Sequence, residues 1–93
     1  MPNPINSILI SESDNVATAL VELDKGSIGR YATKGGIVEI AIAERIPKYH
    51  KFSVQEIRKT ELVRKYGEVI GEAKRDIIKG AHVHVHNIDS PGR

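Results

Sequence analysis

Most of this chain alternates between apolar and polar positions over short segments. Apolar, β-branched runs occur in "SILI" (residues 7–10), "GGIVEIAIA" (35–43), "HKFSV" (50–54) and "HVHVHNI" (82–88). A further stretch, "ELVRKYGEVIGEA", contains two such runs on either side of Gly67. This pattern is typical of β-strands. Because the strands are short and spaced about ten residues apart, the sequence predicts a compact, mostly-β domain rather than alternating βαβ units.

One early segment departs from the β pattern. In "SESDNVATALVELDKGS", apolar residues fall on one face of a helix, namely Val16, Ala19, Leu20 and Leu23. Ser13 or Asp14 can cap the start of such a helix, and Gly26 can end it. The sequence therefore predicts one short helix near residues 14–23.

The chain contains a faint internal repeat. Ile57, Lys59 and Val63 recur as Ile77, Lys79 and Val83, and the turn portion alone recurs as Leu23, Lys25 and Gly26. Each copy reads as an apolar anchor followed by a polar turn, and the two longer copies continue into a strand. The repeat predicts a repeated turn geometry and no more than that.

The composition restricts the class of protein. With 93 residues, of which 40% are apolar and 28% charged, residues 1–93 have room for one small soluble domain. We expect an ordered core over about residues 6–88 and flexible ends at residues 1–5 and 89–93. The absence of cysteine excludes disulfides, thiolate metal sites and a cysteine nucleophile.

The charge distribution gives no indication of nucleic acid as a partner. Fourteen Lys and Arg stand against twelve Asp and Glu, and the two signs are interleaved, for a net charge of +2. One local basic bias, from Arg45 to Lys51, is either a solvated loop or an edge that faces an anion. No apolar run approaches the roughly 18 residues of a membrane span, and the amino terminus lacks a signal-peptide pattern. We therefore expect no membrane contact and a cytoplasmic location.

The segment "HVHVHN" carries the candidate chemistry. On a strand, His82, His84 and His86 share one face, whereas Val83 and Val85 face the core. Neighbouring histidines on that face can bind one ion, but the outer pair would be roughly 13 Å apart without a bend. A further ligand would come from His50, Asp14, Glu68 or another chain. Without cysteine, the preferred ions are Fe(II), Mn(II) and Zn(II). Metal-free acid/base or anion-binding histidines, and a merely solvated strand face, remain alternatives.

Four stretches in this order resemble a known family: "DNVATALVEL", "IPKYHKFSV", "KYGEVIGEA" and "IIKGAHVHVHN". They are similar to the amino-terminal domain of the altronate/galactarate dehydratase family, an antifreeze-like SAF domain. The resemblance implies a single β-clip fold and, for a chain of this size, a separate small subunit beside a large catalytic dehydratase subunit. It also implies a divalent metal, Fe(II) or Mn(II), and removal of water from an anionic hydroxylated sugar acid. The related sulfolactate sulfo-lyase would remove sulfite instead.

The resemblance also suggests roles for individual residues. His82 and His84 would be metal ligands, and His50 and His86 catalytic acid/base groups. Four further residues would contact the substrate, namely Lys51, Lys65, Asn15 and Asn87. The alternatives are lysines on solvated strand faces and a helix cap at residues 14–15. The family often has glycine where this chain has Tyr49, and a Lys-Gly turn where it has Lys59 and Thr60.

Three expectations follow for the function of the chain. The isolated chain would be inactive, because a domain this small cannot enclose a polar substrate. The alternative to an enzyme subunit is a non-catalytic module that binds a metal or a sugar acid. Exposed strand edges also make self-association an open alternative.

Overall fold

A computed structural model describes residues 4–89, and these residues form nine β-strands and no helix. The mostly-β prediction is confirmed. The strands are β1 (Ser7–Ile8), β2 (Val16–Ala19), β3 (Ile28–Thr33), β4 (Gly36–Ala41), β5 (Lys51–Ser53), β6 (Leu62–Lys65), β7 (Glu68–Ala73), β8 (His82–Val83) and β9 (Ile88–Asp89). Within residues 4–89, no helix is long and apolar enough to cross a membrane.

The prediction of a helix near residues 14–23 is wrong, because that segment contributes strand β2. This strand lies between β1 and β5 in an antiparallel sheet of order β1-β2-β5-β8. Its Val16 belongs to one apolar cluster, whereas Ala17 and Ala19 belong to another. A strand that is buried on both faces loses its polar alternation, and its apolar positions can then coincide with helical spacing.

The central sheet separates two apolar clusters. One cluster joins it to the β3–β4 hairpin and contains Ala17, Ala19, Leu23, Tyr31, Ile40, Ile42, Ile46 and Phe52. The other joins it to the three-stranded sheet β6-β7-β9 and contains Val16, Ile57, Val63, Ala73, Ile77, Ala81 and Val83. Consecutive residues of β5 and β8 therefore point alternately toward the first and the second cluster.

Four similar turns frame these layers. The apolar anchors of the turns pair two by two, Leu23 with Ile46 and Ile57 with Ile77. Three residues after each anchor the backbone adopts a positive φ, at Gly26 (89°), Tyr49 (68°), Thr60 (77°) and Gly80 (87°). The predicted repetition of turn geometry is confirmed, and the turn that follows Ile46 adds a copy that the sequence pattern did not reveal. Glycine tolerates this conformation best, and the second and third of these turns adopt it without glycine.

The predicted flexible ends fall mostly outside the described residues. Residues 1–3 and 90–93 lie beyond that part of the chain. Pro4, Ile5 and Asp89 are described, and Asp89 is the last residue of β9 and pairs with Glu72 of β7.

Candidate functional site

The histidine segment does not remain a strand. Strand β8 ends at Val83, and residues 84–87 form a turn that leads into β9. Asn87 closes this turn, because its Nδ2 donates to the carbonyl of His82 (2.8 Å) and its Oδ1 accepts from the backbone N–H of His84 (2.9 Å). Val83 is buried as predicted, but Val85 is 71% exposed, so the prediction that both valines face the core is wrong. The alternation stops because the chain leaves the sheet.

The turn gathers the histidine rings instead of spacing them along a line. The ring centroids of His82 and His86 are 5.3 Å apart, far less than a straight strand would allow. His50, at the end of the turn that precedes β5, joins them from the neighbouring strand. Its Nδ1 lies 2.9 Å from Nε2 of His82, and its ring centroid lies 4.7 Å from that of His84. The structure thus brings together the four histidines predicted from the sequence.

Three of these histidines form a candidate metal centre. His50, His82 and His84 each offer one ligand nitrogen, and these atoms all lie within 4.8 Å of one another. Two nitrogens that bind one ion at about 2.0–2.2 Å lie roughly 3 Å apart in adjacent coordination positions. The 2.9 Å separation between Nδ1 of His50 and Nε2 of His82 meets this requirement, and His84 offers a third nitrogen within 4.8 Å. The donor set therefore fits a divalent ion that accepts imidazole, such as Fe(II) or Zn(II).

The surroundings of His82 favour the neutral form of its imidazole. Partial burial lowers the pKa of its imidazole, and the neighbouring rings of His50, His86 and His84 lower this pKa further. The Glu44 carboxylate acts in the opposite direction but is the smallest of these influences. A neutral imidazole retains the lone pair that a metal ligand or a proton acceptor needs.

The two predicted lysines lie across the central sheet from the histidines. Lys51 is paired with Thr18 on one side and with Val83 on the other, so its side chain lies on the face of the second cluster. His82 is paired with Phe52 and shares the opposite face. Burial lowers the pKa of the Lys51 ammonium, and the charge of Lys65 lowers it further, which shows that the two lysines are close.

The two predicted asparagines are buried and bonded to the backbone. Asn15 donates from Nδ2 to the carbonyl of Leu62 (2.8 Å) and accepts at Oδ1 from the backbone N–H of Arg64 (2.8 Å). This side chain therefore ties the start of β2 to β6. Asn87 makes comparable backbone hydrogen bonds within the histidine turn. The protein backbone already occupies the amide groups of both side chains. Their contact with a substrate stays a prediction.

Asp14 is not a helix cap and does not approach the histidines as a ligand. Its carboxylate accepts from the backbone N–H groups of Tyr66 (2.9 Å) and Gly67 (2.8 Å), and also from that of Ser11 (3.1 Å). Residues 66 and 67 form the tight turn between β6 and β7, and both have a positive φ. A buried carboxylate thus holds a hairpin turn that is more than fifty residues away in the sequence.

A cavity of about 290 Å³ adjoins the histidine turn. Charged side chains at its wall include Glu44, Arg75 and Asp76, and Arg75 also donates to the carbonyl of His86 (3.3 Å). The remaining lining residues are Ile77, Ile78, Ala81, His86 and Asn87. Sequence reasoning missed Glu44 and Arg75, because no local motif marks them and only the packing of distant segments brings them beside His86.

Comparison with known proteins gives a consistent result. The profile of the altronate/galactarate dehydratase SAF domain matches residues 5–91. Altronate dehydratase of Bacillus subtilis (strain 168) is 40% identical over 80 residues, which are 86% of this chain and 15% of that protein. Altronate dehydratase of Escherichia coli (strain K12) is 38% identical over a segment of the same extent.

A third relative is matched over nearly its whole length. The (2R)-sulfolactate sulfo-lyase subunit alpha of Chromohalobacter salexigens is 29% identical over 87 residues, which are 90% of this chain and 93% of that subunit. The chain thus spans about a seventh (15%) of the altronate dehydratases but nearly all of the sulfo-lyase subunit. With the profile covering residues 5–91, the chain belongs to the altronate/galactarate dehydratase SAF domain family.

Proposed function

We propose that this chain is the small subunit of a metal-dependent lyase that removes water from a hydroxylated sugar acid. A separate large chain completes the active site. The observation that carries this proposal is the cluster of His50, His82 and His84 within a domain of the dehydratase family. Three half-buried imidazoles with their ligand nitrogens this close together form a donor set that suits a divalent ion.

The name of one relative supports a two-chain arrangement. The matched altronate dehydratases contain about six times more sequence outside the matching segment than inside it, since the segment is 15% of each protein. The sulfo-lyase subunit alpha, by contrast, is matched over 93% of its length and is named as one subunit. Both coverages agree with a small chain that acts beside a large one.

His50, His82 and His84 are the residues that would hold the divalent ion. Three imidazoles without a carboxylate favour Fe(II) over Mn(II), because Mn(II) prefers oxygen ligands. When bound, such an ion stabilises negative charge on a substrate oxygen and assists the departure of the hydroxyl group. The substrate and ligands from the large chain would complete the coordination of such an ion.

The histidines also suit proton transfer. Elimination of water requires a base for the proton beside the carboxylate and an acid for the leaving hydroxyl. Without an ion, His50 and His82 share a hydrogen bond in which one ring donates and the other accepts, so a proton at one ring sets the tautomer of the other; an ion bound by the same two nitrogens would replace that proton. His86 is exposed at the cavity and lies next to His82, which places it to exchange protons with solvent or substrate.

Lys51 and Lys65 form a separate part of the proposal. They carry positive charge that no ion pair within residues 4–89 balances, and such a pair attracts a carboxylate or a sulfonate. Because they lie across the central sheet, a small acid held at the histidines does not reach them through the protein. Any anion that they bind occupies a second position.

A second candidate is the small subunit of a sulfolactate sulfo-lyase, with sulfite as the leaving group. The similar length of the sulfo-lyase subunit alpha favours it, whereas the higher identity favours altronate dehydratase. The deciding experiment combines this chain with the large dehydratase chain of the same organism and supplies Fe(II) under anaerobic conditions. We expect turnover of altronate or galactarate by the mixture and none by either chain alone. Turnover by this chain alone, or release of sulfite from sulfolactate only, would contradict the leading proposal.

A further inference from the structure

The three most exposed large apolar side chains among residues 4–89 belong to residues next to the histidines in the sequence or at the adjoining cavity. Val85 is 71% exposed, Tyr49 is 64% exposed and Ile78 is 59% exposed. Val85 separates His84 from His86, Tyr49 immediately precedes His50, and Ile78 lines the cavity with His86. We refer to Tyr49, Ile78 and Val85 as the apolar rim. Single exposed apolar residues are ordinary, but their concentration around a candidate site indicates a contact surface.

Tyr49 provides a second and independent observation. Its backbone has a φ of +68°, the conformation that glycine provides in the first and last of the four turns. The strain does not serve packing in the core, because most of the ring lies in solvent and Lys48 approaches it at 4.9 Å. Strained residues that expose a side chain beside a site often serve binding, and tyrosine is enriched at protein interfaces.

The charges around the rim indicate what kind of surface would cover it. Lys48, Arg75 and Lys79 lie beside the rim residues or the cavity and form no ion pair with another residue in the described part of the chain. Glu44 and Asp76 also line the cavity, so the cations exceed the acidic groups by one. The candidate metal centre contains three nitrogen donors and no carboxylate. A partner that offers carboxylates between apolar side chains would balance these cations and supply the missing oxygen ligands.

A second copy of the chain does not meet these requirements. A symmetric contact through the rim would bring two patches of the same net positive charge together, because the same patch faces itself in a two-fold interface, and Glu44 and Asp76 offset only two of its three cations. Like charges across an interface oppose binding. The part of an altronate dehydratase that lies outside the matching 15% is large enough to provide such a partner.

We propose that the apolar rim is the surface on which the large dehydratase chain docks, with acidic residues of that chain placed over the histidine cluster. This inference rests on the proposed function and specifies where the two chains meet. The docked chain excludes water from the histidines and completes the ligand set.

The test measures the affinity between this chain and the large dehydratase chain of the same organism. Tyr49→Gly removes the ring and also relieves the backbone strain, so weaker binding by this variant cannot result from a destabilised fold. We expect Tyr49→Gly and Val85→Ser each to raise the Kd about 10-fold or more, mainly through faster dissociation. The Fe(II) affinity of the isolated variants should remain that of the unmodified chain.

Two control variants match these changes. Thr60→Gly relieves the same strain at an equivalent turn, and Ile37→Ser removes an apolar side chain that is 56% exposed on the β3–β4 hairpin. Both should bind the large chain normally. If the wild-type complex is stable and the two rim variants bind with unchanged affinity, the rim is not the docking surface, whereas the proposed function stands. Absence of any complex with the wild-type chain would contradict the proposed function as well. A homodimer that Tyr49→Gly dissociates would overturn the choice of partner.

Discussion

At the scale of single residues, His82 decides most of the chemistry of the site. It touches the other three histidines and lies opposite Phe52 in the central sheet, so it links the candidate site to the core. Its ring is nevertheless only half-buried, and its interactions are polar. Its contribution to metal binding should therefore be separable from its contribution to folding.

The double variant His82→Ala, His84→Ala tests this separation. Without metal, we expect a melting temperature within a few degrees of the wild type, because substitutions of partly exposed polar residues usually change stability by about 0.5 kcal/mol or less. Fe(II) or Zn(II) affinity should fall at least 10- to 100-fold, as measured by equilibrium dialysis. The matched control is His86→Ala, which lies outside the three-ligand group and should retain most of the affinity. Val83→Ala should instead cost about 1–3 kcal/mol, since this side chain is fully buried.

The lowered pKa of His82 predicts a pH dependence of stability. Its folded-state pKa lies below the ordinary value of 6.5, so below that pH the unfolded chain binds more protons than the folded one. The metal-free protein should therefore be most stable above pH 6.5 and should lose stability as the pH falls below it. Urea denaturation at pH 7.5 and pH 5.5 measures the change. His82→Gln should flatten this dependence, and an equal slope in both proteins would assign it to other groups.

At the scale of structural elements, the four turns determine how the layers meet. Each turn places its anchor in the core and then reverses the chain through one residue with positive φ. Two of these residues are not glycine, although a side chain at positive φ costs about 1 kcal/mol or more. The turns therefore carry strain that substitution can reveal.

Thr60→Gly should stabilise the protein. Thr60 has a φ of +77° and is exposed, so glycine removes steric strain and loses no core contact. Because glycine also adds entropy to the unfolded chain, we expect a net gain of only about 0.5–1 kcal/mol. The equivalent substitution in the other direction, Gly80→Ala, should destabilise the protein strongly, since its Cβ would lie 2.1 Å from the carbonyl oxygen of Ala41. Chemical denaturation of both variants measures the difference, and a stable Gly80→Ala variant would show that the turn can shift.

At the scale of the whole molecule, metal binding and folding should be coupled. The three candidate ligands come from the segment before β5 and from the end of β8, which lie adjacent only in the folded sheet. An ion that binds the folded state alone stabilises it by about 2.7 kcal/mol at 100 times its Kd. For a domain of this size, that corresponds to a rise in melting temperature of roughly 10 °C or more. The rise should be reversed by a chelator and should be absent in the His82→Ala, His84→Ala variant; an equal rise in that variant would place the ion elsewhere.

Part of this protein follows from its sequence alone, because some of its features depend on local physics. Short β-branched runs between turn residues specify strands, and the absence of cysteine limits any metal ligands to nitrogen and oxygen. The recurring anchor-and-turn pattern likewise predicts repeated turns, since residues next to each other determine a turn. His82, His84 and His86 are also close together in the sequence, so the sequence alone marks this segment as the candidate site.

Other features depend on contacts between distant segments, and only the tertiary structure decides them. Burial of Val16 and Ala17 on opposite faces makes β2 a strand, although the spacing of its apolar residues is also helical. The Asn87 side chain bends the histidine segment, which exposes Val85 and brings His86 back to His82. The pairing of β5 with β8 brings His50 to the cluster and places Lys51 on the other face. No local pattern encodes these outcomes, because each results from which strands become neighbours.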